Sequence, residues 1–203
     1  MSKWVKVQDG VVIFTQYNAP PDDNPLGLIE APDWVINGYP YDGEKFLQRP
    51  TEYTLYYIAE NGAWVFKADR CLNDKIFKIN QSTGGVLSNL NEPYEEGESK
   101  TWPIQLWEAT QYKENSSSST PMLDNMVSSS DGIWTKDTLA DKIIANADSW
   151  RAAVGDVLGQ QKKLMQNVKT LHQQYVDGEI SVADFASAET EIVVPTIHLD
   201  DKY

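Results

Sequence analysis

The side chains best suited to chemistry are few and scattered. His172 and His198 are the only two histidines, and Cys71 is the single cysteine. None has a second Cys or His at a metal-ligand spacing, and one cysteine cannot close an internal disulfide. The sequence contains no Gly-x-Ser-x-Gly elbow, no phosphate loop and no dinucleotide fingerprint. Carboxylates are abundant, but a chain of formal charge −13 brings acidic residues together by chance. No catalytic residue, metal ligand or cofactor is expected, and the chain is read as a non-enzyme.

One stretch has part of a calcium-loop pattern. In "DGEISVADF", Gly178, Ile180 and Asp184 fall at the turn, sheet and last-ligand positions. The first and third ligands would then be Gln173 and Tyr175. A calcium ion takes about six or more oxygens, so the loop is underfilled. The better expectation is a helical hairpin. A helix ends at Val176, Asp177-Gly178 turns the chain, and Ser181 with Asp184 caps a short helix.

The elements that position these residues follow from composition and patterning. The chain has 203 residues, 41% of them apolar and 11% aromatic, including seven Trp and ten Tyr. That is enough for a packed core, and the rings suit packed sheets or a partner surface. The acidic balance supports solubility and would repel phosphate backbones, so neither nucleic acid nor an anionic membrane is an expected partner. Residues 1–12 lack the apolar core of a signal peptide, and no apolar run approaches a membrane span. Residence in a cytoplasm is expected.

The N-terminal part reads as strands divided by Gly turns. Asp9-Gly10 suits a two-residue hairpin pairing Val7 with Val12 and Val5 with Phe14. One face would then carry Val5, Val7, Val12 and Phe14, and the other Trp4, Lys6 and Ile13. Asp42-Gly43, within "GYPYDGEKFLQRP", marks a second hairpin. Asn61-Gly62 marks a third, pairing Tyr57 with Phe66 and Ala59 with Trp64, with Leu55 and Ala68 on the same face. The Pro- and Asp-rich segment 18–34 reads as loop. Residues 75–80, "KIFKIN", read as a strand ended by Thr83-Gly84-Gly85, and 92–100 as an acidic connector.

The rest reads as helix. Thr101 is placed as the cap of a helix starting at Trp102, with Pro103 in its first turn. Ser116–Ser119 end it, and "TPMLDNMVSSS" restarts as a short helix with Met122, Leu123 and Met126 on one side. Thr135 caps a long helix over 136–176. Its apolar positions alternate by three and four through Ala140, Ile143, Ala147, Trp150, Val154, Val157, Gln161, Leu164, Val168, Leu171 and Tyr175. Such a helix is about 60 Å long at about 1.5 Å per residue. Its seam has two readings, packing on the chain's own helices or a coiled coil in which Gln161 sets register. Gly155 and Gly159 would mark a kink or a close backbone approach. The expected architecture is α+β: N-terminal antiparallel β-hairpins followed by a C-terminal helical region with a long heptad-patterned helix. The organisation expected is a β-hairpin domain over 1–50, a further hairpin and connector over 51–99, a helical module over 100–176 with a Ser-rich tether at 115–119, and a short helical hairpin and tail over 177–203.

Several of these stretches together resemble one family. "TWPIQLWEATQY" carries Thr101, Trp102, Gln105, Glu108, Ala109 and Tyr112. After a tether come Thr120, Pro121, Met122, Leu123 and Asp124, and then a long helix with Leu139, Lys142, Ile143, Ala147, Trp150, Gly155 and Gly159. "WVKVQDGVV" and "APDWVINGYPYDGEKFLQRP" complete the pattern. In this order they are similar to bacteriophage tail-fibre assembly chaperones and tail accessory proteins. The likeness covers roughly residues 1–50 and 101–170, while 51–99 and 177–203 depart from it. It implies a chaperone or fibre-associated accessory protein with a phage tail-fibre chain as partner, acting in the host cytoplasm during assembly or staying on the virion tail. The alternative is a permanent fibre or baseplate subunit that homo-oligomerises through the long helix, and a third reading is glycan binding by Trp34 or Trp64. The residues assigned to partner contact are Tyr57, Trp64 and Phe66 of the third hairpin, and Trp102, Trp107 and Tyr112 of the following helix. From the seam they are Ile143, Trp150, Val154, Val157, Gln161, Leu164, Val168 and Leu171. Each group has ordinary core packing as its second reading.

Overall fold

The computed structural model describes residues 3–20, 23–24, 26–91 and 96–195. The chain is α+β, with antiparallel strands first and helices after them, among them a 41-residue helix. Strands β1 (Lys3–Gln8), β2 (Val11–Gln16) and β3 (Ile29–Ala31) form one sheet in the order β2-β1-β3, and β4 (Tyr57–Glu60) pairs with β5 (Ala63–Phe66). The helices are α1 (Ala68–Asn91), α2 (Glu96–Glu114), α3 (Pro121–Ser128), α4 (Lys136–Val176) and α5 (Val182–Ala186). Contacts divide the chain into two units. One takes the residues up to Lys75 with Val168–Ala188, and the other takes Ile76–Asn167 with the segment from Glu189.

The first hairpin turns at Asp9 and Gly10, both at positive φ, as the two-residue turn requires. Val7 pairs with Val12 as expected, but a bulge between Lys6 and Val7 shifts the register, so that Val5 faces Thr15 and Lys6 faces Phe14. Because side chains alternate along a strand, one extra residue moves Phe14 off the Val5 face. Val5 and Val12 are buried, whereas Ile13 and Phe14 are exposed. The segment 18–34 is not all loop, since β3 pairs with β1 at Lys3–Ala31, Trp4–Glu30 and Val5–Ile29. A three-residue strand is too short to leave a periodic trace.

At Asp42-Gly43 the hairpin reduces to one bridge, Tyr41 with Phe46. The Asp42 carboxylate accepts the amides of Glu44 and Lys45, each at 2.9 Å, and these hold its pKa below the usual value. The Asn61-Gly62 hairpin has the expected pairs Tyr57–Phe66 and Ala59–Trp64. Leu55 and Ala68 lie beyond it, in a 3-10 turn (Thr54–Tyr56) and in α1. The turn tips meet closely. A Cβ on Gly10 would lie 2.3 Å from the Gly62 nitrogen, and one on Gly62 2.7 Å from the Tyr41 carbonyl oxygen. Only glycine fits at either position.

The expected strand over 75–80 is helix. Cys71, Lys75, Ile79, Thr83, Val86 and Leu90 are buried at helical spacing while Phe77 is exposed. Lys75 sits on the buried face because its ammonium donates to the carbonyls of Ala186 and Ala188, at 2.7 and 2.9 Å. The Gly84-Gly85 pair does not end α1. The helix α2 starts at Glu96, so Thr101 is interior and not a cap, and Pro103 lies well past the first turn. Residues 96–100 therefore belong to a helix and not to a connector, while 92–95 lie outside the described residues. Thr101 instead accepts the Gln105 amide at 2.8 Å. Gly155 and Gly159 are helical, and among the described residues nothing would lie within 4 Å of a Cβ at either, so no described backbone approaches them.

The end of α4 follows the expected hairpin. Gly178 turns at positive φ, and Ser181 and Asp184 form a reciprocal capping box on α5. The serine hydroxyl and amide hold the Asp184 carboxyl below its usual pKa. Asp184 thus caps a helix, which is a different use from the last ligand of a calcium loop.

Candidate functional site

Five residues of the stretches that carry the resemblance, Ala109, Tyr112, Leu123, Leu139 and Ile143, meet in the α2–α3–α4 region. Ala109, Leu123, Leu139, Ala140 and Ile143 form one buried cluster, flanked by Leu106, Tyr112, Met126, Val127, Trp134 and Ile144. The serine tether is an ordered turn here. Asn115 Oδ1 accepts the Ser117 amide, the Ser118 amide donates to the Asn115 carbonyl, and the Ser118 hydroxyl donates to that of Gln111. Thr120 precedes α3 but makes no side-chain cap. The cap comes from α2, where the buried Glu108 carboxylate accepts the amides of Leu123 at 2.9 Å and Met122 at 3.3 Å. A carboxylate at a helix N-terminus satisfies otherwise orphaned donors and complements the helix dipole. Ala109 beside it has no side chain long enough to hold α3 away.

Cations brace the rim. Lys113 bridges Asp137 and Asp141, each at 2.7 Å, and these bonds raise its pKa. Lys136 pairs with Asp124 at 2.7 Å and lies 5.0 Å from the Tyr112 ring centre. Thr135 caps α4 through its hydroxyl, which accepts the Thr138 amide.

The residues assigned to a partner surface are mostly occupied within the chain. Tyr57 packs edge-on to Phe66 at 5.4 Å. Phe66 also meets Tyr56, Tyr175 and Phe185. The Trp64 indole N–H donates to the Leu47 carbonyl at 3.1 Å, its ring lies under the Arg49 guanidinium, and Tyr39 packs against it. Trp102 meets Trp150 edge-on at 6.2 Å. Along the seam, Ile143 joins the α2–α3 cluster, while Val154, Val157 and Leu164 pack with Val86, Leu90, Ala153 and Ile192. Val168 is buried, and Leu171 joins a cluster with Tyr56, Cys71 and Phe185. Gln161 donates to Asn80 Oδ1 at 2.9 Å, a partner on its own chain.

Trp107 is the exception, 59% exposed, with Ile104 49% exposed at (i, i−3) spacing on the same side of α2. Ala109 lies on the opposite, buried face, and the buried Glu108 lies between the two faces. Sequence reasoning missed the Glu108 cap because its acceptor and donors are on different helices. The trace it left was a buried-type neighbour, Ala109, beside an acid.

The aromatic nest holds a strongly shifted tyrosine. Burial, and then a hydrogen bond from its hydroxyl to Asp74 Oδ2, hold the Tyr56 phenol far above its usual pKa. His172 Nε2 lies 3.0 Å from Asp69 Oδ1, with its ring against Phe185. Among the described residues no group of three or more His, Cys, Asp or Glu is placed to hold a metal ion, and no helix is long and apolar enough to cross a membrane. No family model, no curated protein and no solved structure matches this chain.

Proposed function

We propose that this protein is a tail-fibre assembly chaperone or fibre-associated accessory protein of a bacteriophage, and that it engages its fibre chain through the outer face of α2. The observation that carries the reading is the contrast between the pattern residues and their neighbours on α2. Gln105, Glu108, Ala109 and Leu123 are buried in the helical module, while Ile104 and Trp107 beside them are exposed. An aromatic anchor on a rigid helix is the kind of group that dominates protein interfaces. The rigidity comes from the Glu108 cap and the lysine braces. The seam of α4 is used internally, which supports an accessory protein over a subunit that trimerises through that helix.

The test is co-expression with a bacteriophage tail-fibre chain, followed by affinity capture. Association is expected, and Ile104→Ala with Trp107→Ala should reduce it by about tenfold or more, each lost anchor being worth about 1–2 kcal/mol. Light scattering of the chain alone should give a monomer. A stable trimer, or capture indifferent to the double substitution, would sink the reading.

A further inference from the structure

Residues 189–195, "ETEIVVP", form an extended strap in the unit that holds most of α1 and α4. The strap is read in a way that ignores most of its side chains. Gln160 on α4 grips Val193 at both backbone groups: its Oε1 accepts the Val193 amide at 2.9 Å, and its Nε2 donates to the Val193 carbonyl at 3.1 Å. The same Nε2 donates to Asp156 Oδ2 at 2.8 Å, which fixes the amide's orientation. From α1, Ser82 Oγ accepts the Ile192 amide at 2.9 Å. One side chain is specified, since Ile192 is buried with Val86, Leu90, Ala153 and Val157. Val193 and Val194 beside it are 72% and 57% exposed.

Backbone bonds for affinity and one pocket for specificity are how proteins bind extended peptides from other chains. We propose that this groove between α1 and α4 is a peptide-docking site, occupied in the resting chain by its own strap. Its exchange partner is a segment of another chain with the strap's own chemistry, one that presents one aliphatic residue to the Ile192 position and leaves its backbone free for the bonds to Ser82 and Gln160. Exchange is feasible because the strap has a single buried anchor and its two bonds to Gln160 are exposed to water, while the one to Ser82 is part-buried. If the partner is the unfinished fibre, an unpaired strand would be sheltered until it finds its neighbours. Only that identity rests on the proposed function.

The experiment uses the full chain with Ile192→Asp, which removes the resident anchor, and a fluorescein-labelled peptide of residues 189–195. Fluorescence polarisation should show saturable binding to I192D, at least about tenfold tighter than to the unaltered chain, whose own strap competes. Adding Gln160→Ala should weaken it. Absence of saturable binding to folded I192D, or binding indifferent to Gln160, overturns the proposal. If I192D loses its helical circular dichroism, the unaltered chain decides. Excess spin-labelled peptide should then broaden the amide resonances around Ser82 and Gln160, and their remaining sharp overturns it. Peptide capture without fibre association would leave the groove standing and the chaperone reading fallen; fibre association without peptide capture would do the reverse.

Discussion

The aromatic nest around Phe185 and the helical cluster around Leu123 use the same long helix in different ways. In the nest, rings from α4, α5 and the third hairpin meet edge to face: Phe66 with Tyr175 at 5.2 Å and with Phe185 at 6.3 Å. In the helical cluster, small and aliphatic residues let α2 and α3 lie close to α4, and a carboxylate crosses between helices to finish one of them. The first is held by large rings whose preferred geometry fixes angles. The second is held by close packing plus one buried polar link. A regular seam therefore does not name what covers it, since the partners are set by what the rest of the chain offers at each height.

The largest effect should come from emptying the nest. Phe185→Ala removes a fully buried ring and should destabilise by about 3–5 kcal/mol, read as a lower midpoint in urea. Leu123→Ala should cost about 2–5 kcal/mol in the helical cluster. If it costs less than Val7→Ala at a half-buried position of β1, the α2–α3 contact is not a packed core. Glu108→Ala should cost about 1–3 kcal/mol, because two amides at the start of α3 lose their acceptor. Glu108→Gln should cost less, since one acceptor oxygen remains, and equal costs would show that the cap is not the cause.

A pH titration separates the two regions further. The folded-state pKa of Tyr56 is raised, so its contribution is fully present below the unfolded tyrosine value of about 10 and is lost as pH rises above it. Stability should fall above pH about 10 in the unaltered chain and less steeply in Tyr56→Phe, followed by urea midpoints across that range. Parallel curves would place the alkaline loss elsewhere. The smallest stability effect belongs to Trp107→Ala, within about 0.5 kcal/mol, as expected for an exposed residue outside both clusters. A larger loss in its thermal midpoint would mean that Trp107 is part of the core and not a contact surface.

Local chemistry made much of the fold legible. Asp9-Gly10, Asn61-Gly62 and Asp177-Gly178 each turn the chain where expected, because positive φ is a property of the residue and its neighbours. Thr135 and the Ser181–Asp184 box start helices where expected for the same reason. The misread segments share a different cause. "KIFKIN" alternates well enough to suggest a strand, but Lys75 belongs on the buried side because carbonyls distant in sequence await it. The Phe14 face was lost to a bulge that the β1–β2 pairing alone reveals.

The candidate site divides along the same line. That α2 carries a motif and a nearby exposed tryptophan could be read in part from residue types, but which aromatic stays exposed could not. Trp102 and Trp107 are alike in sequence, and only packing gives Trp102 a ring neighbour in Trp150 and leaves Trp107 in water. By itself, then, the sequence determined turns, caps, helix periodicity and the absence of recognisable catalytic motifs, because these depend on interactions within a few residues. The coverage of the seam, the Glu108 cap and the Gln160 grip on Val193 were decided only by tertiary structure. Each joins groups distant along the chain, whose pairing free energy exists only once the fold has brought them together.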